Sequence, residues 1–352
     1  MPGLLNFPMK KIKESSAEIF IPAEEKVSKQ LPVFYNPAME LNRDITILLL
    51  QQFPPMNLCD PLAASGIRAI RFAKELKYEH ITANDVNKKA VALIRKNMRY
   101  NKVNFEVYKK DANLLLLESF GFDFIDLDVF GSPNFMLDSA CKRLARDGIL
   151  AVTATDTSAL CGTSPKACLR KYWAMPKKDA IMHETGLRIL IRKIQLVASQ
   201  YDKALLPIFS YSKEHYMRVF LKNEKGKNKV DEILKQHGFF NDAGPMWLGR
   251  LWNKNLTNKI YNNALKNIIF NKNKELIKFL KIIKEESKIN AVGFYDLHDI
   301  CETSKIKRLQ KKEFIINRIK KAGYQASETH FKGEGIRSNI PINRLVNLMR
   351  NK

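Results

Sequence analysis

The segment Asp126-Leu127-Asp128-Val129-Phe130-Gly131-Ser132-Pro133 sets a carboxylate two residues before an aromatic ring, at the end of an apolar run. A carboxylate so placed can accept an N–H bond from a planar exocyclic amine, return electron density to its delocalised nitrogen and take the proton. A nearby ring can hold such a planar group flat, base stacking being worth ~1–3 kcal/mol. Asp128 and Phe130 fit these two roles, and Asp126 is a second candidate because alternate strand residues share a face. The plainer alternative makes Asp128 a helix cap and Phe130 core, but Ser132 already supplies a cap ahead of Pro133.

Asp60, Asp85 and Asp111 also follow apolar stretches, as Asp128 does. One Asp in a turn is unremarkable. Four at successive strand-to-helix junctions indicate a shared ligand, because ligands of a doubly wound sheet sit beyond the carboxyl ends of its strands. The ligand chemistry that suits carboxylates has hydroxyls and an amine to donate, a positive centre and no phosphate, as in S-adenosylmethionine. The first such turn, DPLAASGIR, carries Gly66 alone and lacks the G-x-G-x-x-G of a dinucleotide site. Asp85 is expected to accept from ribose hydroxyls and Asp111-Ala112 to meet an adenine edge. The guanidinium fork of Arg43 or Arg68 suits a methionine carboxylate.

Positioning these side chains requires alternating strands and helices. MNLCDPL, HITANDV, FEVYKKDA, FDFIDLDVF and GILAVTATD read as strands. Between them, Gly66 to Leu76 and Lys88 to Tyr100 read as helices. This alternation predicts a parallel sheet covered by helices. A helix with Leu187, Leu190, Ile191, Ile194 and Val197 on one face follows. ALLPIFSYS and HYMRVFLKN then read as an antiparallel pair closing the sheet. Residues 1–41, broken by Pro22, Pro32 and Pro37, are expected to be irregular, and a helix is expected from Asn42. The composition shift at KNEKGKNK predicts a boundary, giving an α/β domain over 1–224 and a largely helical α+β domain over 225–352.

The chain has 352 residues and a formal charge of +24, spread over folded-looking sequence, which points to a nucleic-acid partner. Its longest apolar run, Ile45 to Leu50, is far short of the ~20 residues of a membrane span. Lys10, Lys11, Lys13 and Glu14 interrupt the region where a signal peptide needs an apolar run. The cysteines (Cys59, Cys141, Cys161, Cys168, Cys301) are scattered without a C-x-x-C pair, so neither a disulfide framework nor a zinc site is expected, and the protein is expected to be cytoplasmic.

The segments VFYNPAMELNRDI (33–45), DPLAASGIRAIRFA (60–73), ANDVNKKAV (83–91), DLDVFGSP (126–133) and GILAVTATDTSALCGTSP (148–165) resemble the transfer RNA guanine-N2 dimethyltransferase family. Weaker likenesses at 183–194, 210–220, 244–249 and 329–339 extend the resemblance through nearly the whole chain. It implies a Rossmann-like class I S-adenosylmethionine-dependent methyltransferase domain and a C-terminal RNA-binding domain. It also implies transfer of one or two methyl groups to the exocyclic N2 of guanine 26 in transfer RNA, with no metal and no obligate protein partner. Carried over position by position, Arg43, Arg68, Asp85, Asp111 and Ala112 fall on cofactor positions and Asp128 on the catalytic carboxylate. Phe34 and Phe130 fall on the aromatics that sandwich the base. The family's D-P-F-G reads Asp128-Val129-Phe130-Gly131 here; valine can adopt proline's φ, so activity is expected. The cysteine cluster of many relatives is absent after GPMWLG, where Trp247 and Trp252 are expected to pack instead. In the C-terminal region, Lys307 and Arg308, with His330 and Arg337, are expected to meet RNA phosphates. Two rival readings are a DNA or protein amino-methyltransferase, and a non-catalytic RNA-binding protein that keeps a vestigial methyltransferase fold.

Overall fold

The computed structural model describes residues 5–24 and 31–350. It opens with an antiparallel hairpin, β1 (Met9–Glu14) and β2 (Ala17–Pro22), which corrects the expectation that residues 1–41 are irregular. Ala17, Ile19 and Ile21 alternate inward onto Ile67 and Ile70, while Pro22 ends the hairpin and Pro32 and Pro37 lie beyond it. Helix α1 (Glu40–Leu50) begins ahead of Asn42, which is buried within it; the capping side chain is Asn36, on the short 3-10 turn Pro37–Met39.

Strands and helices then alternate: β3 (Asn57–Asp60), α2 (Ile67–Glu75), β4 (His80–Asn84), α3 (Lys88–Tyr100), β5 (Glu106–Tyr108), α4 (Ala112–Glu118), β6 (Phe122–Asp128), α5 (Asn134–Arg143) and β7 (Leu144–Ala154). After α6 (Thr157–Leu160), α7 (Pro165–Tyr172) and α8 (Met182–Ser199) come the hairpin strands β8 (Lys203–Lys213) and β9 (Tyr216–Lys225). They complete a seven-stranded sheet of order β5-β4-β3-β6-β7-β9-β8. It is parallel from β5 to β7, with β9 antiparallel to both β7 and β8. Because β3 lies between β4 and β6, the winding reverses there, opening the crevice in which such sheets bind ligands. Register matters here: Asp128 lies opposite Thr153 and Thr153 opposite Arg218, so three polar side chains share one row. Phe124, Asp126 and Asp128 share the face covered by α1 and α2, where Phe124 meets Phe72 edge to face at 5.9 Å.

Beyond β9 lie α9 (Lys227–Leu234), β10 (His237–Phe240), β11 (Ala243–Trp247), α10 (Lys254–Lys266) and α11 (Lys274–Glu286). Their apolar side chains, among them Ile233, Trp247, Ile260, Leu280 and Ile283, join the core beneath the sheet, and Trp247 and Trp252 are both buried. A separate core of Leu297, Ile315, Ile319, Ile336 and Leu345 unites β12 (Tyr295–Asp296), α12 (Leu297–Thr303), α13 (Lys312–Lys321), β13 (Ala326–Glu328), β14 (Gly335–Ser338) and α14 (Ile342–Arg350).

The two cores are bolted together by buried ions. Arg337 of β14 reaches Glu184 of α8 at 2.6 Å and Glu286 of α11 at 3.0 Å, all three side chains being at most 1% exposed. Arg188 adds a second guanidinium to Glu184 at 2.8 Å, and the fully buried His330 side chain sits on Glu286. This corrects the expectation that His330 and Arg337 meet RNA phosphate. Neither side chain reaches solvent, and both are spent on buried carboxylates that need charged partners. Glu184, in the first turn of α8, is the centre of this junction.

Removing Arg337 takes one cation from each of two buried carboxylates and leaves Glu184 to Arg188 and Glu286 to His330, so Arg337→Ala is expected to lose about 3–5 kcal/mol of stability by urea denaturation. Burial alone would raise the Glu184 carboxyl, but Arg337 and Arg188 outweigh it and hold the group at about 2, below its ordinary 4.5. A depressed carboxyl stabilises the fold fully above the unfolded value and loses that contribution as pH falls through the folded one. The junction should therefore weaken between about pH 4.5 and pH 2. Acid titration followed by circular dichroism should show a shallower loss for Arg337→Ala in that window, and a variant as stable as the parent would refute the bolt.

Candidate active site

A cavity of about 410 Å³ opens at the winding reversal, lined by Asp60 at the end of β3, Asp85 after β4, Asp128 at the end of β6 and Thr155 after β7. That volume is in the range of small-molecule sites. Its floor is the Ala63-Ala64-Ser65 turn, whose short side chains let a ligand approach the backbone. Gly66 follows with φ +79°, a conformation that favours glycine, and a Cβ there would stand 3.1 Å from Ile94 Cγ1. The Asp85 carboxylate fixes this turn. Its Oδ2 accepts from Ala64 N–H at 2.9 Å and its Oδ1 from Asn87 N–H at 2.8 Å, leaving further lone pairs for a ligand.

The Asp128 carboxylate is held from behind. Arg68 Nη2 donates to Asp128 Oδ2 at 2.5 Å, and its Nη1 meets Asp126 Oδ2 at 3.0 Å. Asp126 in turn receives both prongs of the Arg218 fork at 2.7 Å each. Arg218 also donates to Thr153 Oγ1 at 3.0 Å, and the Thr153 hydroxyl, opposite Asp128 in the register, helps to lower that carboxyl. Burial would raise Asp128, but Arg68 and Arg218 outweigh it and keep its carboxyl below the ordinary value. Asp128 is therefore an anion with 23% of its side chain exposed, whereas Asp126 is fully buried. That removes Asp126 as a second proton acceptor: both its oxygens are engaged by guanidinium groups and none faces the cavity.

The remaining expected residues divide. Phe34, Phe130, Arg43 and Arg68 all reach the cavity wall. The Arg43 fork, expected to be open for a carboxylate, is already closed on Glu14, with Nε to Oε1 and Nη2 to Oε2 both at 2.6 Å. Phe34 and Phe130 meet edge to face with centroids 4.3 Å apart and planes at 85°, so they touch each other rather than bracket a gap. Asp111 caps α4, accepting from Asn113 and Leu114 N–H, and neither it nor Ala112 is among the described cavity-lining residues. Lys307 and Arg308 are exposed after α12 and do not reach the cavity.

Sequence reasoning missed Glu14, Arg218 and the weight of Asp60. Glu14 lay in a stretch read as irregular. Arg218 sits within YMRVF, where a lone cation inside an otherwise apolar strand was the available signal. Burial pushes Asp60 up to about 7, although Arg68 opposes this, and no ion pair or hydrogen bond to its carboxylate comes from the described residues. A cationic ligand in the cavity would relieve that burial. With acceptors for hydroxyls, no phosphate cradle and a carboxylate wanting a cation, the walls fit a sulfonium-bearing nucleoside.

Comparison with known proteins agrees with this chemistry. The family model for N2,N2-dimethylguanosine tRNA methyltransferase matches residues 10–243 and 237–350. A tRNA (guanine(26)-N(2)/guanine(27)-N(2))-dimethyltransferase from Aquifex aeolicus is 37% identical over 382 residues, covering 97% of this chain and 96% of that one. A tRNA (guanine(26)-N(2))-dimethyltransferase from Methanobrevibacter smithii is 36% identical over 382 residues, covering 98% of each. Among solved structures, the complex of Trm1 from Pyrococcus horikoshii with S-adenosyl-L-methionine superposes with a TM-score of 0.90 at 36% identity, over 97% of this chain and 100% of that one.

The raised Asp60 carboxyl has a testable consequence. The unfolded chain releases that proton near 3.8 and the folded one near 7, so the free protein loses stability as pH rises between them. At about 1.4 kcal/mol per unit the penalty above pH 7 is on the order of a few kcal/mol. Asp60→Asn should therefore raise the melting temperature of the ligand-free protein at pH 8 more than at pH 5. The same variant should bind a cationic ligand more weakly; no gain in stability at pH 8 would contradict the assignment.

Proposed function

Since the chain belongs to the N2,N2-dimethylguanosine tRNA methyltransferase family, we propose that it transfers methyl groups from S-adenosylmethionine to the exocyclic N2 of guanine 26 in transfer RNA, with Asp128 as the proton acceptor. The observation that carries this reading is the Asp128 carboxylate, pinned by Arg68 at the cavity edge beside Phe34 and Phe130. Asp85 and the Ala63–Ser65 turn would hold the nucleoside part of the cofactor, with Asp85 free to accept from its ribose hydroxyls. Asp60 would serve its positive charge, and Arg43 and Arg68, also in the wall, its methionine part. Asp111 and Ala112 are assigned to the adenine edge on the family resemblance alone, since neither is among the described cavity-lining residues. When bound, S-adenosylmethionine supplies an electrophilic methyl group.

This chain's residues do the rest. The target guanine leaves its stack, at a few kcal/mol, and the rings of Phe34 and Phe130 part to receive it. One oxygen of Asp128 is occupied by Arg68, and the carboxylate turns its other lone pairs to the N2 amine. That bond orients the nitrogen lone pair, and orientation can lower the barrier by as much as ~7–11 kcal/mol. A carboxylate held below its ordinary value still suffices as acceptor, because the nitrogen becomes strongly acidic as it gains the methyl group. The chemistry is metal-free, since amine methylation requires only orientation and a proton acceptor. Lys307 and Arg308 supply phosphate contact from the C-terminal unit. The same reading gives a cytoplasmic enzyme without an obligate protein partner; no helix among the described residues is long and apolar enough to cross a membrane.

Incubation with labelled S-adenosylmethionine and unmodified transfer RNA should yield N2-methylated guanosine at position 26, identified by nucleoside mass spectrometry. Asp128→Ala should abolish incorporation while cofactor binding, followed by calorimetry, stays within about twofold. Phe130→Ala should lower kcat/KM by roughly tenfold to a hundredfold, the equivalent of one lost stacking contact of ~1–3 kcal/mol. A fully active Asp128→Ala enzyme would overturn the mechanism.

A further inference from the structure

From Thr157 to Lys178 the chain carries Lys166, Arg170, Lys171, Lys177 and Lys178 and no carboxylate. Within it, α7 buries Cys168 and Tyr172 against the core and exposes Lys166, Leu169, Arg170 and Lys171. Neither Lys166 nor Arg170 makes an ion pair or hydrogen bond through its side chain with a described residue. The helix ends on Trp173, held in the left-handed region at φ 56°, ψ 41°. A bulky residue there is strained, and such strain persists where the surroundings impose it. Here the impositions are visible: Trp173 N–H donates to Leu169 O, and Trp173 O accepts from Arg192 Nη1 at 3.2 Å. The result is an indole that is 51% exposed, with the Lys193 ammonium 2.9 Å from its ring centroid. Lys193 comes from the buried side of α8 and is itself only 6% exposed, so it covers the ring from within. An apolar ring of this size is ordinarily buried; this one is turned outward by its backbone and backed by a cation.

The end of α7 stands at the mouth of the catalytic cavity. Asn134 Nδ2 donates to Lys171 O at 2.7 Å, and Lys171 Nζ pairs with Asp156 at 2.8 Å. The chain neighbours of those two partners, Phe135 and Thr155, line the cavity.

We propose that Trp173 and the basic face of α7 form an RNA-docking surface beside the catalytic cavity, the indole stacking a nucleobase near the target guanine while Lys166 and Arg170 meet phosphates. An exposed aromatic flanked by unpaired cations is the combination that single-stranded nucleic acid requires, base on ring and backbone on charge. A cation behind the ring strengthens the platform. The surface rests on the reading of this chain as a transfer RNA methyltransferase. It adds a contact on the methyltransferase domain itself, where a base drawn from its helix leaves neighbours without a stacking partner.

The chain has three tryptophans, and Trp247 and Trp252 are 2% and 5% exposed, so the solvent-exposed emission belongs to Trp173. Titrating unmodified transfer RNA into the full chain should quench that emission. Trp173→Leu should abolish the quench and raise the dissociation constant for transfer RNA about tenfold. Trp173→Phe should lack the signal yet keep most of the affinity, since a ring remains to stack on. Arg170→Ala, at an exposed helix position, should lower the slope of log affinity against log salt by about 0.7–0.9, one phosphate contact. S-adenosylmethionine affinity should be unchanged in all three. Should Trp173→Leu fold poorly, Trp173→Phe and Arg170→Ala carry the test. Failure of the parent protein to methylate transfer RNA would overturn the functional reading on which this rests. Normal methylation by the parent, with no quench and parental affinity and salt slope in the variants, would overturn the surface alone.

Discussion

Asp126 lies under the sheet with no access to water, where an unpartnered carboxylate would cost several kcal/mol. Two guanidinium groups meet it, from α2 and from β9, and each has a second task. Arg68 uses its other nitrogen to pin Asp128, and Arg218 holds the Thr153 hydroxyl that lies opposite the same residue. Asp128 is thus held by a network of cations that are themselves fixed by one buried anion. This arrangement depends on register. Only with Asp128, Thr153 and Arg218 in a row across β6, β7 and β9 do the fork and hydroxyl reach their partners. A shift of any one of these strands by one residue would send its side chain to the opposite face. The antiparallel pair that closes the sheet therefore also delivers Arg218 to the site.

A second buried network does the same for the opposite wall. Glu14, at the end of β1, takes the fork of Arg43 from α1 and Nη1 of Arg71 from α2, with Tyr35 hydroxyl donating at 3.0 Å. Arg71 continues to Asp44 at 2.8 Å and Glu75 at 3.1 Å. Burial would raise the Glu14 carboxyl, but Arg43 and Arg71 hold it at about 2. The N-terminal hairpin is thereby tied to the helices that face the sheet. Phe34 and Tyr35, in the stretch ahead of α1, line the near wall of the cavity.

Much of this was legible in the sequence because it follows from chain periodicity. The carboxylates at strand ends and the alternation of strand and helix set out the sheet and the crevice before any coordinate. The closing hairpin showed as two apolar runs around Lys213-Glu214. The β1–β2 hairpin was also written in alternation, at Ala17, Ile19 and Ile21, but three prolines nearby drew attention to breaks. What sequence did not reveal is partnership between charges far apart in the chain. An arginine reads the same whether it awaits a ligand or is already closed on a carboxylate. Arg43 and Glu14 are 29 residues apart, and Arg218 and Asp126 are 92 apart. Charge clusters misled for the same reason. His330 and Arg337 lie among surface-like residues in THFKGEGIRS, yet β14 turns Arg337 inward to two glutamates contributed by distant helices.

The site combines a rigid chemical centre with movable access, and the two are built differently. Asp128 sits at a strand end inside a network of buried ion pairs, so its position is set by the packed core. Phe34 lies in the irregular stretch before α1, and Phe130 in the turn after β6, beside Gly131 at φ +78° with open space where a Cβ would be. The two rings are 4.3 Å apart at 85°, whereas a base between parallel rings needs about 7 Å, two stacking distances of ~3.4 Å. Admitting a base between them, as proposed, therefore requires ring rotation and loop displacement but no shift of the sheet. In mutual contact the rings shield each other's apolar surface, so parting them has a cost that a stacked base returns. A small molecule that cannot stack on both faces returns less of it, which favours a planar base at the carboxylate over other amines.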